Sequence, residues 1–308
     1  MSARDILLAG DISAAERDAF LERLSDRMSD EPTDATRYAI VWKPDPDIFR
    51  NTPSLEVIFS LGAGVDHVLN TPNLPDVPVV RFVDPDLTGR MMEYVCLQCL
   101  LHLRRQRAYD SAQRNKTWNQ IAMPTAREIT VGIMGFGVLG QACGRALLAL
   151  GFNVRGLARS TRKVEDIETF TTEQQAGFLA GTDMLVNLMP LSEETRNMID
   201  ADLISHLRSE GALGGPVIIN AGRGGSLDEC AVIEALENGT LAGVSLDVFQ
   251  TEPLSADSPL WGFDNAIVTP HVAAITDPNA LSNYVQRQID AYENGKPMEN
   301  VVDRSRGY

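Results

Sequence analysis

The chain has 308 residues, enough for two domains with cores of their own, and its 44% hydrophobic and 22% charged content is that of an ordinary globular protein. A net charge of −15 at pH 7 argues against nucleic acid or an anionic membrane as the main partner. No apolar run approaches the roughly 20 residues that span a bilayer. The most apolar stretch, Val95 to Leu103, is broken by Gln98 and His102, and the N-terminus has too short an apolar core for a signal peptide, so a cytoplasmic location is the expectation.

The first hundred residues alternate short strand-type runs, at Ile6–Ala9, Tyr38–Val41, Val57–Leu61 and Val79–Val83, with an amphipathic helix over 14–28 that carries Phe20, Leu21 and Leu24. That pattern predicts a small α/β domain with a mostly parallel sheet. Residues 91–113 then read as one long helix, apolar through Leu103 and basic from Arg104 to Arg107, which leaves one domain and docks on the next, with a boundary near residue 97. Cys96 and Cys99 form a C-x-x-C inside this apolar segment. No second cysteine pair or nearby histidine pair completes a zinc set, so they read as buried reduced thiols, and no metal is expected.

Residues 129–134 read as a buried strand that runs into Gly135-Phe136-Gly137-Val138-Leu139-Gly140, after which Leu139, Ala142, Cys143, Ala146 and Leu150 recur at helical spacing. In that context a G-x-G-x-x-G loop has a physical task. The first glycine permits the tight turn, the second lets a pyrophosphate approach the backbone, and the third lets the helix pack closely on the strand, with the helix N-terminus turned to the phosphates. A nucleotide domain that starts only after about 100 residues implies a separate domain ahead of it. Strands follow at Asn153–Ala158, Met184–Leu188, Val217–Asn220, Gly243–Val248 and Ala266–Thr269, with helices in most of the gaps. A last helix, Asp277 to Asn294, returns the chain to the first domain. The expected fold class is α/β: two Rossmann-like or flavodoxin-like domains with doubly wound parallel sheets, the nucleotide domain inserted in the substrate domain and a cleft between them. Residues 1–97 with 277–308 form the substrate domain and residues 98–276 the dinucleotide-binding domain.

Methyltransferases and flavin enzymes carry similar glycine loops, so the next strand discriminates. Where NAD would be held by an Asp or Glu at the strand end, this chain has Ala158, followed by Arg159-Ser160-Thr161-Arg162-Lys163. With Arg155 that makes four cations before the first acid, Glu165, which suits a 2′-phosphate gripped by Arg and points to NADP over NAD. The plain alternative is a solvated basic turn.

Three segments at the ends of late strands remain: Asn220-Ala221-Gly222-Arg223-Gly224, Asp247 to Pro253, and Thr269-Pro270-His271. Together they supply one Arg, one Glu and one His. Arg can hold an α-carboxylate and polarise a carbonyl, His can protonate the developing alkoxide, and a carboxylate beside it orients the imidazole. Singly, Arg223 could cap a loop, Glu252 could be only solvated and His271 could be structural; jointly they favour function. His67, His102 and His206 read as structural or exposed, Asp66 as the cap of a following helix, and Trp42 and Trp118 as core residues in preference to linings of a pocket or a partner's pocket.

These segments, the glycine loop, Leu188-Met-Pro-Leu-Ser-Glu-Glu-Thr-Arg196 and Leu61-Gly-Ala-Gly-Val-Asp-His67 together resemble the D-isomer-specific 2-hydroxyacid dehydrogenase family over nearly the whole chain. Leu-Gly-Ala-Gly-Val-Asp, His271-Val-Ala-Ala-Ile-Thr276 and the terminal Val302–Tyr308 make it most similar to the glyoxylate/hydroxypyruvate reductase A type. The resemblance implies that Arg223 binds substrate, His271 is the acid/base and Glu252 its partner. It implies that backbone N–H groups around Ala63 and Gly64 hold the substrate carboxylate. It implies cofactor contacts from Gly135, Gly137, Val138, Leu139, Gly140, Leu188 and Pro190, from Asp247 to the nicotinamide carboxamide, and from Arg159, Ser160, Arg162 and Lys163 to NADPH. The expected function is NADPH-dependent reduction of glyoxylate, hydroxypyruvate or a similar 2-keto acid by a homodimer. The alternatives are a dinucleotide-sensing corepressor-like protein and an NAD-dependent dehydrogenase of another substrate. Gly222 stands where the family usually has Ala, and the Gly211–Pro216 loop is longer than usual.

Overall fold

The computed structural model describes residues 4–62, 64–83, 85–160 and 163–304. It divides into two compact units, Met1–Leu87 with Thr276–Tyr308, and Thr88–Ile275, so the second is inserted in the sequence of the first. The changeover falls before the residue-97 boundary read from composition. The reason is packing: Met91, Tyr94, Val95, Cys99 and Leu103 bury their side chains in the core of the second unit.

In the first unit, β1 (Ile6–Gly10), α1 (Ala14–Leu24), β2 (Met28–Ser29), β3 (Tyr38–Trp42), β4 (Val57–Ser60), α2 (Asp66–Leu69) and β5 (Val79–Arg81) build a parallel sheet of order β2-β1-β3-β4-β5. That is the flavodoxin-like order. α1 starts at a capping box in which Ser13 and Glu16 satisfy each other's backbone N–H groups. Leu7, Ala9, Ala39, Val41, Ile58 and Val79 fill one core. Asp66 is the first residue of α2 and not its cap, which is Val65.

The second unit begins within α3 (Pro85–Leu103) and continues through α4 (Gln106–Arg114), β6 (Thr130–Met134), α5 (Val138–Ala149), β7 (Asn153–Leu157), β8 (Glu168–Phe170), α6 (Gln175–Ala180) and β9 (Met184–Asn187). It closes with α7 (Ala201–Ser205), β10 (Val217–Asn220), α8 (Glu229–Glu237), β11 (Gly243–Leu246) and β12 (Ala266–Val268). The chain then re-enters the first unit as α9 (Pro278–Glu293), which packs on α1. The seven-stranded sheet runs β12-β11-β10-β9-β6-β7-β8, all parallel. Chain order reverses at β6/β9, the switch point of a Rossmann sheet. Both faces are covered: Val131, Ile133, Met184, Val186, Val217 and Ile219 enter one core, Leu185, Ile218, Val244 and Leu246 the other.

Four details differ from the sequence reading. The single helix expected over 91–113 is two, because Arg105 adopts φ 50° and ends the first. The helix expected to reach residue 28 stops at Leu24 and passes through a 3-10 turn, Ser25–Arg27, into β2. β2 and β8 are edge strands of two and three residues, too short to show a pattern. Trp118, expected in a core, is 97% exposed.

Cys99 and Cys143 are buried, Cys96 is half-buried, Cys230 is exposed and all four are free thiols. Burial pushes the Cys143 thiol up to about 12, so it stays protonated and unreactive. Among the described residues no group of three or more His, Cys, Asp or Glu could hold a metal, and no helix is long and apolar enough to cross a membrane.

One histidine is a structural member of the second unit. His102 of α3 bonds through Nε2 to Ser245 Oγ at 2.8 Å, and Ser245 donates to Gln98 Oε1 at 2.8 Å. Burial pulls the imidazole down from 6.5 to about 4. Between those values the unfolded chain binds a proton that the folded chain refuses, so stability is complete above pH 6.5 and falls as pH drops toward 4. We expect the stability gap between wild type and His102→Asn to narrow over that interval by on the order of 3 kcal/mol, measured by urea unfolding at each pH. A constant gap would mean the folded imidazole takes up its proton as readily as the unfolded one.

Candidate active site

Parallel register brings the C-terminal ends of four neighbouring strands level: Asn187 pairs with Asn220, Asn220 with Leu246 and Leu246 with Val268. The loops that leave these ends carry Leu188–Pro190, Arg223, Asp247 to Glu252, and His271. A second set, the glycine loop after β6 and the basic loop after β7, leaves the same edge on the other side of the switch point.

His271 Nδ1 lies 3.0 Å and 3.1 Å from the two Glu252 carboxylate oxygens. Glu252 Oε1 also accepts from the Phe249 backbone N–H at 3.2 Å, which fixes the carboxylate against its own loop. His271 sits at φ 55°, a conformation unfavourable for a side chain of its size. Its backbone N–H donates to Asp247 O at 2.8 Å. The Asp247 side chain, 1% exposed, holds what flanks it. Oδ1 accepts from Thr269 Oγ1 at 2.6 Å and the Val272 N–H at 2.9 Å, and Oδ2 from the Ala273 N–H at 2.9 Å. Tyr94 OH lies 2.8 Å from Thr269 Oγ1 and ties the turn to α3. The structure therefore gives Asp247 a role the sequence did not announce, as anchor of the turn that presents His271. Three protein donors leave about one of a carboxylate's four acceptor positions for another group.

Arg223 begins the 3-10 turn Gly224–Ser226, and its Nη1 donates to Gly222 O at 2.9 Å. The turn lies against the Glu252 loop: a Cβ on Gly224 would come within 1.9 Å of the Phe249 carbonyl carbon. Arg223, Glu252 and His271 thus come from adjoining loops of one sheet edge.

The residues of the glycine loop fit a dinucleotide. Gly135 has φ 86° and lies against Leu188, while Gly140 approaches Gly135 O so closely that a Cβ would stand 2.6 Å from it. A Cβ on Gly137 would meet no protein atom within 4 Å, so nothing of the chain obstructs close approach to that backbone at the N-terminus of α5, where Val138 and Leu139 begin the helix. Pro190 O accepts from Thr195 Oγ1 at 2.7 Å, which folds its loop back on itself.

Arg159 and Ser160 are exposed on the bend after β7. Lys163 lines a groove of about 370 Å³ with Arg145 and Gln141 of α5, opposite Glu165 and Asp166. Arg155 leaves the basic group: it bonds Glu168 at 3.2 Å and Gly177 O at 3.3 Å and stacks on Phe170. Arg162 and Ala63, both expected in binding sites, lie outside the described residues. Gly64 belongs to the first unit, where its carbonyl accepts from Ser60 Oγ at 3.3 Å. Nearby, Trp42 packs against His67 at a tilt, with ring centroids 4.2 Å apart.

The sequence reading assigned no role to Asn187, Asn220, Ser226, Thr269 or Tyr94. A signal for the first two was present: a single amide closing an otherwise apolar strand, Met-Leu-Val-Asn187 and Val-Ile-Ile-Asn220.

The chain belongs to the D-isomer specific 2-hydroxyacid dehydrogenase family: residues 96–273 match the model of that family's NAD binding domain. It is 37% identical over 286 residues, 91% of this chain and 89% of the relative, to a glyoxylate/hydroxypyruvate reductase A of Serratia proteamaculans. Among solved structures it is similar to the NADPH-dependent glyoxylate/hydroxypyruvate reductase of Sinorhizobium meliloti in complex with NADP and sulfate, at 46% identity and TM-score 0.93, covering 98% of this chain and 99% of that one. A D-isomer specific 2-hydroxyacid dehydrogenase of Xanthobacter autotrophicus in complex with NADPH and MES matches at 36% identity and TM-score 0.88, covering 100% of each chain.

The geometry yields a stability prediction. Asp247→Asn replaces one acceptor oxygen by an NH2 that faces donors. We expect chemical denaturation to register a loss of about 1–3 kcal/mol. A change below about 0.5 kcal/mol would mean the 269–273 turn holds without this carboxylate.

Proposed function

We propose that the protein reduces small 2-keto acids, glyoxylate and hydroxypyruvate first among them, to 2-hydroxy acids with NADPH. The observation that carries this reading is the paired contact of His271 Nδ1 with Glu252 beside the Arg223 turn. With Nδ1 engaged by the carboxylate, Nε2 is the nitrogen left to meet substrate. Protonated His271 gives its Nε2 proton to the oxygen that was the ketone, while Glu252 balances the imidazolium charge until the proton leaves. Arg223 holds the α-carboxylate and draws negative charge onto the carbonyl oxygen. NADPH held at the glycine loop would supply the hydride that becomes the C–H bond of the product. Asp247 has one acceptor position to offer the carboxamide of that ring. Leu188 and Pro190 line the same edge.

The cofactor choice follows from charge. Arg159 and Lys163, with Arg162, form a basic loop after β7 with no acid at the strand end, in a chain of net charge −15. The relatives in complex with NADP or NADPH support the same choice. The role of Ala63 and Gly64 in holding the substrate carboxylate rests on the family resemblance alone.

One assay of NADPH oxidation against a panel of 2-keto acids tests the reading. We expect turnover with glyoxylate and hydroxypyruvate, and a loss of kcat/KM of about a hundredfold or more in His271→Ala and in Arg223→Ala. Arg159→Ala should raise the KM for NADPH and spare NADH. No turnover of any 2-keto acid would refute the enzymatic assignment in favour of a sensor. Equal losses with both cofactors would refute the 2′-phosphate assignment.

We also propose a cytoplasmic homodimer. Leu97, 52% exposed, and Trp118, 97% exposed, are large apolar side chains on one stretch of the second unit, and covering them favours association. Sedimentation should give twice the chain mass, with dissociation shifted to higher concentration in Trp118→Ala. A monomer at micromolar concentration would end this part of the proposal.

A further inference from the structure

Three polar side chains with no exposed surface, Asn187, Asn220 and Ser226, sit under the sheet edge. Asn187 Nδ2 donates to Asn220 Oδ1 at 2.9 Å and to Ser226 Oγ at 2.7 Å. Its Oδ1 accepts the Met189 N–H at 3.1 Å. Asn220 Oδ1 also accepts the Gly222 N–H at 3.2 Å, and its Nδ2 donates to Arg223 O at 3.2 Å. Ser226 Oγ donates to the same carbonyl at 2.6 Å. The pattern is directional. Each amide oxygen receives N–H donors, each amide nitrogen gives to an oxygen, and the hydroxyl accepts from Asn187 and donates to Arg223, so neither amide can flip without orphaning a buried group.

Burying two amides and a hydroxyl where a parallel strand ordinarily ends in an apolar residue costs free energy unless every group is satisfied. Here the satisfying partners are the backbones of two short segments, Met189 on one side and Gly222–Arg223 on the other. Gly222 completes the joint. A Cβ there would stand 2.8 Å from Met189 O and 3.1 Å from Met189 N, so the two loops can lie this close only because residue 222 is glycine. This accounts for the departure noted at that position.

We propose that the Asn187–Asn220–Ser226 network is the positioning device for Arg223: it fixes the Arg223 carbonyl from below and locks its turn to the Leu188–Pro190 loop as one rigid piece. Asn187, Asn220 and Ser226 are positioning residues that act through Arg223. The inference rests on the substrate-binding role proposed for Arg223.

A double-mutant cycle tests it. Ser226→Ala removes one donor to the Arg223 carbonyl at almost no change in volume. We expect kcat/KM for glyoxylate to fall about tenfold, carried mainly by KM, with NADPH affinity within about twofold of wild type. In an Arg223→Ala background the same change should cost less than about twofold, because the group it positions is gone. A full tenfold loss in that background, or a Ser226→Ala enzyme within twofold of wild type, would overturn the proposal. The Arg223→Ala single variant separates the two readings: wild-type activity there removes the role of Arg223 itself, and this inference with it. If Ser226→Ala does not fold, as judged by circular dichroism and thermal unfolding, the cycle is run with Asn187→Ser under the same criteria.

Discussion

The buried carboxylate of Asp247 is the constraint on which the site depends. A carboxylate this enclosed is tolerable only if donors meet it, and the donors it meets are the Thr269 hydroxyl and the N–H groups of Val272 and Ala273. These bracket His271 and hold it in left-handed backbone geometry that an isolated turn would leave. The same residue takes the His271 N–H on its own carbonyl and gives its N–H to Asn220 O. One residue just past the end of β11 therefore fixes the His271 turn and links it to the strand that leads to Arg223.

What surrounds that anchor is a consequence of parallel pairing. Strands that run the same way deliver their following loops to one edge, and helices on both faces favour apolar strands. At the strand ends polar residues act on loop backbones. Asp247, Asn187 and Asn220 all do so. The glycine loop uses the other device available at such an edge, backbone close approach, with Gly140 against Gly135 and Gly135 against Leu188. Charge divides along the same edge. An acidic chain concentrates cations after β7, where an anionic cofactor group would need them, yet Arg155 is withdrawn from that set by Glu168. The proposed 2′-phosphate contact thus falls to Arg159 and its loop neighbours.

Much of this was legible in the residues. The apolar runs of the eight strands that are four residues or longer stand out, as do the glycine loop, the basic turn and the Arg, Glu and His segments. The edge strands β2 and β8 did not, because Met-Ser and Glu-Thr-Phe hold one apolar residue each. The break at Arg105 did not, because an arginine gives no local signal for φ 50°; its side chain reaches the Leu213 carbonyl, a contact far away in sequence. Trp118 misled, because a tryptophan is usually covered and this one is 97% exposed.

The sequence by itself determined the α/β class, the insertion of one unit in the other and the family, and it singled out Arg223, Glu252 and His271 as candidates for keto-acid chemistry. It could do so because strand runs, glycine spacing and residue type are local properties. Only the tertiary structure decided that Asp247 anchors the His271 turn, that Glu252 meets Nδ1, that Arg155 faces an acid, and that Asn187 of the neighbouring strand reaches Ser226 in the Arg223 turn. These are contacts between residues 13 to 39 positions apart. Their partners are set by register and by which buried polar group is left to be satisfied, and neither is written in any single stretch of chain.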